Sequence, residues 1–285
     1  MKLRVYFKDF WPDFRVAGSI FDAALRASFD VTYVRAERKA DLVMTSDYLS
    51  LTQRALARYA RRRRSKPGDP VRIFFTGETR SLDLPAYDGI ISTDVLDHAK
   101  HFRLPQWVHY VKLWEGYANR TGVCEAGFDP DMLQRTVPSA ANRYACAVFG
   151  NPHHMRLIAV ERLGAFGQVD VFGRHTGNII ADKLAVMRDY KFNLCFENSL
   201  LPGYVTEKVL HAKLAGCIPL WWGDPSYTVD FARASLINMY DYDLDFGRMF
   251  EEVNLANVQN TPLITGPIRD YAAELATFLR RIVLQ

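Results

Sequence analysis

The chain has 285 residues, 49% of them hydrophobic, which suits two α/β domains better than one. Lys and Arg number 36 against 32 Asp and Glu, so the net charge is +4. That suits an anionic ligand but is too weak for a nucleic-acid surface, and no aromatic-and-basic RNA-binding motif accompanies it.

Short runs rich in Val, Ile, Phe and Tyr predict strands at Leu3–Phe7, Val31–Val34, Asp41–Thr45, Val71–Thr76 and Gly89–Ser92. Helical patterns at Ser19–Phe29 and Leu51–Arg63 lie between them, the βαβ signature of a parallel sheet. The stretch Asn119–Ser139, with its Gly, Pro, Asp and Thr, predicts a boundary near residue 138, giving domains 1–138 and 139–285. The second half repeats the scheme. Strands are expected at Tyr144–Phe149, Val169–Phe172, Phe192–Phe196, Ile218–Trp222 and Leu236–Met239. Helices are expected at His153–Leu163, at Asn178–Tyr190 and from Thr206 onward. Ile268–Gln285 carries Tyr271, Leu275, Phe278, Leu279, Ile282 and Val283 at helical spacing, which reads as a last helix packed on a domain, its own or the first, with a membrane-surface helix as the alternative. Met1-Lys2-Leu3-Arg4-Val5 opens as a strand with no apolar signal core, and no run of roughly 18 apolar residues predicts a membrane span. Cys124, Cys146, Cys195 and Cys217 form no Cys-x-x-Cys pair, which speaks against structural zinc, and the last three read as buried thiols.

Residues 190–227 carry the strongest chemistry. The predicted strand there ends in Glu197, Asn198 and Ser199; Pro202-Gly203 follows, and Tyr204-Val205-Thr206-Glu207-Lys208 opens an amphipathic helix. Ligands of open α/β sheets sit outside the carboxyl ends of strands, near helix N-termini. A carboxamide, two acids, a phenol and a lysine at that place suit a ligand with phosphates, hydroxyls and a sugar. A cation in the first turn of a helix opposes the helix dipole, so Lys208 makes most sense facing an anion. Arg156, after Asn151-Pro152, invites the same argument, and its guanidinium can fork onto two phosphate oxygens. The bland alternatives are a solvated lysine and a surface arginine. Glu197 either bonds backbone N–H groups at the strand end or faces the ligand, and both readings stand. Glu78 follows the predicted strand Val71–Thr76 and Gly77, a turn that would point it from the sheet's carboxyl edge as a general base; the alternative is an exposed turn glutamate.

Other features carry less. Asp129-Pro130-Asp131 and Asp241-Tyr242-Asp243-Leu244-Asp245 contain Asp-x-Asp, but read as a turn and a helix cap, so no metal is expected. His153-His154 diverge on a helix and make a poor chelate. Arg61–Arg64 with Lys66 read as a solvated basic face, or as one weakly drawn to anionic lipid. His175-Thr176-Gly177-Asn178 is a candidate donor-side loop.

The pattern Phe196-Glu197-Asn198-Ser199, Tyr204-Val205-Thr206-Glu207-Lys208 and Pro219-Leu220-Trp221-Trp222-Gly223 resembles the donor-binding motif of the α-1,3-fucosyltransferase family. Ile73-Phe74-Phe75-Thr76-Gly77-Glu78 resembles that family's strand-turn-acid element, and Asn151-Pro152 with Arg156 its arginine segment. The three patches stand in the family's order, closest to the short bacterial enzymes, while residues 1–65 carry almost no resemblance. The resemblance implies a GT-B architecture, two Rossmann-like α/β domains facing across a cleft, with acceptor on the first and GDP-fucose on the second. It implies inverting transfer of L-fucose from GDP-β-L-fucose to the 3-OH of N-acetylglucosamine in an N-acetyllactosamine-type glycan. Glu78 would be the base. Glu207 would lie by the donor's ribose or sugar, close to the developing positive charge. Arg156, Asn198, Tyr204, Lys208 and, in one of its readings, Glu197 would hold the donor. No cofactor or metal would be obligatory, because cations and helix N-termini can carry the diphosphate charge. Animal members are held in the Golgi by an N-terminal helix; its absence here points to a bacterial, cytoplasmic enzyme or a shortened form, with at most peripheral membrane association. The heptad repeats and basic tail of some bacterial members are not visible. Alternatives are a transferase for another nucleotide sugar or linkage, and a non-catalytic GDP-sugar- or glycan-binding protein. The presence of both a phosphate set and Glu78 favours catalysis, since a binder needs no base.

Overall fold

The strand–helix alternation folds into two all-parallel sheets in a computed structural model that describes residues 1–48, 68–78, 82–118 and 127–285. The predicted helix 51–63, the basic run Arg61–Arg64 with Lys66, and Cys124 lie outside the described residues.

The first sheet contains β1 (Lys2–Lys8), β2 (Asp30–Tyr33), β3 (Leu42–Thr45), β4 (Val71–Phe75), β5 (Gly89–Ser92) and β6 (His101–Arg103), in the order β2-β1-β3-β4-β5-β6. A parallel sheet is covered on both faces, so its inner strands read as continuous apolar runs rather than alternating ones. Leu42, Val43 and Met44 of β3 are accordingly all buried, as are Ile90 and Ile91 of β5. Helix α1 (Ile20–Ser28) starts where the Ser19 hydroxyl accepts the Asp22 N–H at 3.2 Å, and it buries Ile20, Phe21, Ala24 and Leu25. β6 was not expected; its His101 pairs in register with Ile90 of β5.

The second sheet contains β7 (Arg143–Val148), β8 (Val169–Phe172), β9 (Tyr190–Leu194), β10 (Ile218–Trp221) and β11 (Ile237–Asn238), in the order β11-β10-β9-β7-β8. Its helices are α2 (His154–Gly164), α3 (Lys183–Met187), α4 (Lys208–Leu214), α5 (Phe246–Glu252) and α6 (Leu255–Asn260). Ala145, Ala147, Phe192, Leu194, Leu220 and Met239 belong to its core. The helix expected over Asn178–Tyr190 is only α3: the left-handed Gly177 and the Asp182 cap delay its start, and Tyr190 already pairs as strand with Arg143. β9 therefore begins earlier than the apolar run suggested. Its bonding to β10 carries on past Leu194, through Cys195 N–H to the Leu220 carbonyl and Glu197 N–H to the Trp222 carbonyl.

The chain divides into one unit of Met1–Phe128 with Arg269–Gln285 and a second of Asp129–Ile268. Composition had put the boundary near residue 138. Residues 129–138 go with the second unit because the Leu133 carbonyl accepts the Ile264 N–H at 2.9 Å and the Val137 carbonyl accepts the Gln259 amide at 3.0 Å. Helix α7 (Tyr271–Val283) is part of the first unit. It packs on α1 and β5; a Cβ at Gly89 would come within 3.2 Å of the Phe278 ring. Among the described residues no helix is long and apolar enough to cross a membrane.

Both sheets reverse their strand order beside their first strand, between β1 and β3 and between β7 and β9. Loops leaving the carboxyl ends of strands diverge at such points and leave a crevice for a ligand.

Candidate active site

In the second unit, the loops after β7 and β9 are joined by Arg156. This arginine is in the first turn of α2 and is only 6% exposed. Its Nη1 donates to the Asn151 carbonyl at 3.1 Å, and its Nη2 to the Phe196 carbonyl at 2.8 Å and to Asn198 Oδ1 at 2.6 Å. Its guanidinium lies 5.5 Å from the Phe149 ring centroid. It is therefore not the surface arginine of the bland reading. Burial lowers its pKa, with Glu197 and Tyr204 acting the other way; an arginine stays charged regardless. Asn198 is exposed, and because its amide oxygen takes Arg156, its NH2 group is the end that can donate to a ligand.

Glu197 is buried. Its Oε1 accepts the Thr206 N–H at 2.8 Å, the Thr206 hydroxyl lies 2.9–3.0 Å from both carboxylate oxygens, and Oε2 accepts Lys208 Nζ at 2.8 Å. This geometry is a clamp that fastens the head of α4 to the end of β9. Lys208 Nζ also donates to the Thr206 hydroxyl at 2.8 Å. Two of the three ammonium donors are thus used inside the protein, and the third can meet a ligand oxygen. Burial opposes the Lys208 charge, but Glu197 and Glu207 outweigh it and raise its pKa. The anion that offsets the unfavourable dipole at Lys208 is, in the protein itself, Glu197.

Glu207 stands at the N-cap of α4 without capping it through its side chain. Burial works against its charge, yet Lys208 and Lys183 hold its pKa below the ordinary value. The buried Tyr204 follows a turn in which Gly203 has φ +84°, a backbone glycine tolerates best. The Gly203 N–H donates to the Ser226 hydroxyl at 2.7 Å, which pins this turn to the loop after β10.

Lys183 escaped the sequence reading. Its Nζ lies 3.0 Å from His211 Nδ1, and it lines one small enclosed space with Arg156 and Lys208. The signal that marked those two, a cation in the first turn of a helix, marks Lys183 as well. It was hidden because a helix drawn over 178–190 placed Lys183 in its interior. The candidate loop at His175 follows β8, with the His175 ring stacked on Phe149 at 4.7 Å. His153 and His154 are exposed.

In the first unit, Thr76 is buried at the end of β4 and its hydroxyl accepts the Glu78 N–H at 3.1 Å. The same hydroxyl lies 3.2 Å from Asp47 Oδ2. Gly77 does not adopt a left-handed turn; a Cβ there would come within 3.1 Å of the Gln106 amide nitrogen, so a larger residue would have to displace the end of that side chain. Glu78 is exposed on the wall of a cavity of about 270 Å³. The other walls come from Trp11 after β1, Ser46, Asp47 and Tyr48 after β3, Phe75, and the 3-10 turn containing Gln106, His109 and Tyr110. The cavity thus takes walls from both strands that flank the β1/β3 reversal. Asp47 and His109 were not expected in it. The His109 ring lies 5.8 Å from Phe75 and 6.2 Å from Phe21, and desolvation lowers its pKa to about 4, so it is a neutral imidazole near neutral pH.

The acidic pairs lie elsewhere. Asp131 pairs with Arg135 at 2.8 Å, and Asp245 caps α5 by accepting the Arg248 N–H at 3.0 Å. Among the described residues no group of three or more His, Cys, Asp and Glu is placed to hold a metal ion. Cys146, Cys195 and Cys217 are buried free thiols.

Two parallel α/β units, one with cations grouped at its strand reversal and one with an acid-walled cavity at the equivalent place, put this chain in the doubly wound α/β class. Residues 140–254, within the second unit, match the family model described as glycosyltransferase family 10 (fucosyltransferase), C-terminal. The chain is similar to the alpha-(1,3)-fucosyltransferase FucT of Helicobacter pylori, 29% identical over 204 residues that cover 60% of this chain and 41% of that protein. It is 30% identical over 113 residues to the Homo sapiens 4-galactosyl-N-acetylglucosaminide 3-alpha-L-fucosyltransferase 9, covering 38% and 32% respectively. The chain thus spans less than half the length of these relatives. A crystal structure of an alpha1,3-fucosyltransferase with GDP-fucose shares the fold with a TM-score of 0.69, at 21% identity, over 100% of this chain and 91% of that one. The expected fold class, two parallel α/β domains of the GT-B kind, is the one observed.

Proposed function

We propose that this chain is an inverting fucosyltransferase that moves L-fucose from GDP-β-L-fucose to a glycan hydroxyl, the 3-OH of N-acetylglucosamine in an N-acetyllactosamine-type acceptor. The observation that carries the reading is the pairing of Arg156 and Lys208 at the β7/β9 reversal with Glu78 on a separate cavity. The names of the relatives, which state α-1,3-fucosyl transfer and in one case a galactosyl-N-acetylglucosaminide acceptor, support the donor sugar and the linkage.

The second unit holds the donor. Arg156 and Lys208 bind the diphosphate, with Asn198 and Tyr204 hydrogen-bonding to it or to the ribose. As the bond from the fucose C1 to the phosphate oxygen breaks, negative charge gathers on the β-phosphate, and fixed cations stabilise it without reorganising. These groups supply the charge a divalent ion would otherwise bring. Glu207, held anionic, stabilises the positive charge that develops on the sugar. The first unit holds the acceptor in the cavity walled by Trp11, Tyr48 and Glu78. The Glu78 carboxylate takes the proton of the acceptor hydroxyl as its oxygen attacks C1 from the face opposite GDP, so configuration inverts.

A non-catalytic GDP-sugar binder would need the cations and not the cavity with its carboxylate. A thermal-shift panel tests the donor first. At about 100 times its dissociation constant a ligand stabilises by ~2.7 kcal/mol, so GDP is expected to raise the melting temperature while UDP, CMP and ADP leave it nearly unchanged. Equal or absent shifts for all four would overturn the donor assignment. Release of GDP from GDP-fucose only when N-acetyllactosamine is present then separates the enzyme from the binder.

A further inference from the structure

Lys183 lies outside every stretch that pointed to the site, yet it lines one small space together with the other two cations. It sits in the first turn of α3, behind the Asp182 side chain, which accepts the Ala185 N–H at 2.9 Å. Its Nζ is 3.0 Å from His211 Nδ1, on the helix that begins with Lys208. An ammonium has only protons to give, so Nδ1 accepts and the imidazole carries its proton on Nε2. Burial lowers the pKa of His211 to about 3, with Lys183 and Lys208 pushing the same way, which keeps the ring neutral. Lys183 is therefore held by an uncharged acceptor, and among the described residues it makes no ion pair.

Lys208 differs, having the Glu197 carboxylate at 2.8 Å. Arg156 resembles Lys183, with two carbonyls and an amide oxygen as its acceptors. Arg156, Lys183 and Lys208 together line an enclosed space of about 10 Å³, about the room one water needs. The acids that act on this group are Glu197 and Glu207. Three cations against two carboxylates leave positive charge in a poorly solvated place, which is costly until an anion joins it. Burial also weakens the hold of Lys183 on its proton, with Lys208 adding to this and Glu207 opposing it.

We infer that Lys183 is a third cation of the donor's anion site, oriented by the neutral His211 so that its charge serves the diphosphate rather than an internal carboxylate. The inference rests on the donor-site reading given above and adds to it a group outside the Glu197–Lys208 segment.

Isothermal calorimetry with GDP and with guanosine, which has no phosphate, tests it on the full chain. Lys183→Met is expected to weaken GDP at least tenfold, to leave guanosine within twofold, and to flatten the dependence of GDP affinity on salt. Lys183→Arg is expected to recover most of the loss. A residue that only supported the fold would weaken both ligands alike. If the Met variant does not fold, Lys183→Gln takes its place. GDP affinity within threefold of wild type in a folded Lys183 variant would overturn the inference, as would equal losses for GDP and guanosine. Lys208→Met, run alongside, tells the two failures apart. If it also leaves GDP affinity intact, the donor site itself is misplaced; if it weakens GDP and Lys183→Met does not, only the role of Lys183 falls.

Discussion

Replacing Lys208 with Met is expected to damage stability and donor binding by separate routes, and a second substitution should pull the two apart. The Lys208 ammonium lies 2.8 Å from Glu197, whose carboxylate is buried. Taking away one partner of a buried pair strands the other, at a typical cost of ~3–5 kcal/mol. Arg156 also acts on Glu197 electrostatically and softens the loss, and Thr206 keeps its bonds to both carboxylate oxygens. The lower end, roughly 3–4 kcal/mol, is therefore expected. At about 2–4 °C per kcal/mol for a domain of this size, the melting temperature should fall by about 6–16 °C. Losing one charge-assisted bond to the diphosphate costs a further ~1.5–3 kcal/mol of binding, or about 10- to 150-fold in GDP affinity. In Lys208→Met with Glu197→Gln the buried charge is gone and the Gln oxygen still accepts the Thr206 N–H. Most of the melting temperature should return, while GDP binding stays weak. Calorimetry and differential scanning fluorimetry on both variants read the two quantities. GDP affinity near wild type in both, or a double variant no more stable than the single, would refute the reasoning.

Glu78→Gln keeps size and hydrogen bonding but cannot take a proton, so transfer to acceptor should fall by ~10²–10⁴-fold while GDP affinity and melting temperature stay as they were. More than a tenth of wild-type transfer at saturating substrates would remove Glu78 from the role. The histidines set the acid limb of stability. His109 and His211 have pKa values lowered to about 4 and about 3, with burial the leading cause in each, so both are neutral in the folded chain. Below an unfolded value near 6.5 the unfolded chain takes up protons that the folded one does not. Their contribution is thus complete above about pH 6.5 and is lost as pH falls toward the folded values, by up to ~1.4 kcal/mol per pH unit for each. Urea melts between pH 7.5 and 4.5 should show this decline, and His109→Asn or His211→Asn should each flatten part of it. A decline unchanged in the double variant would assign it to the carboxylates instead.

Local chemistry was enough to place much of this protein. Short apolar runs marked ten of the eleven strands among the described residues, because a strand buried on both faces is continuous in hydrophobicity, and chain order marked the βαβ build. The polar residues after Phe196, the cation after Asn151-Pro152 and the acid after Thr76 stood out because strand ends and helix starts are where backbone N–H groups and ligands meet. Three-residue β6 was too short to register, and α3 was overdrawn because a left-handed Gly177 and a strand pairing at Tyr190 are not local preferences. Partnership was the part that required the tertiary structure. Nothing near Glu197 in sequence says that its carboxylate is closed off by Thr206 and Lys208. Nothing near Lys183 says that a histidine 28 positions away meets its ammonium. Asp47 and His109 join Glu78 only because loops after different strands converge on one cavity. Residue types and their spacing carry information over a few positions, whereas burial, charge balance and hydrogen-bond pairing at this site are set between segments tens of residues apart, which only the packed chain brings together.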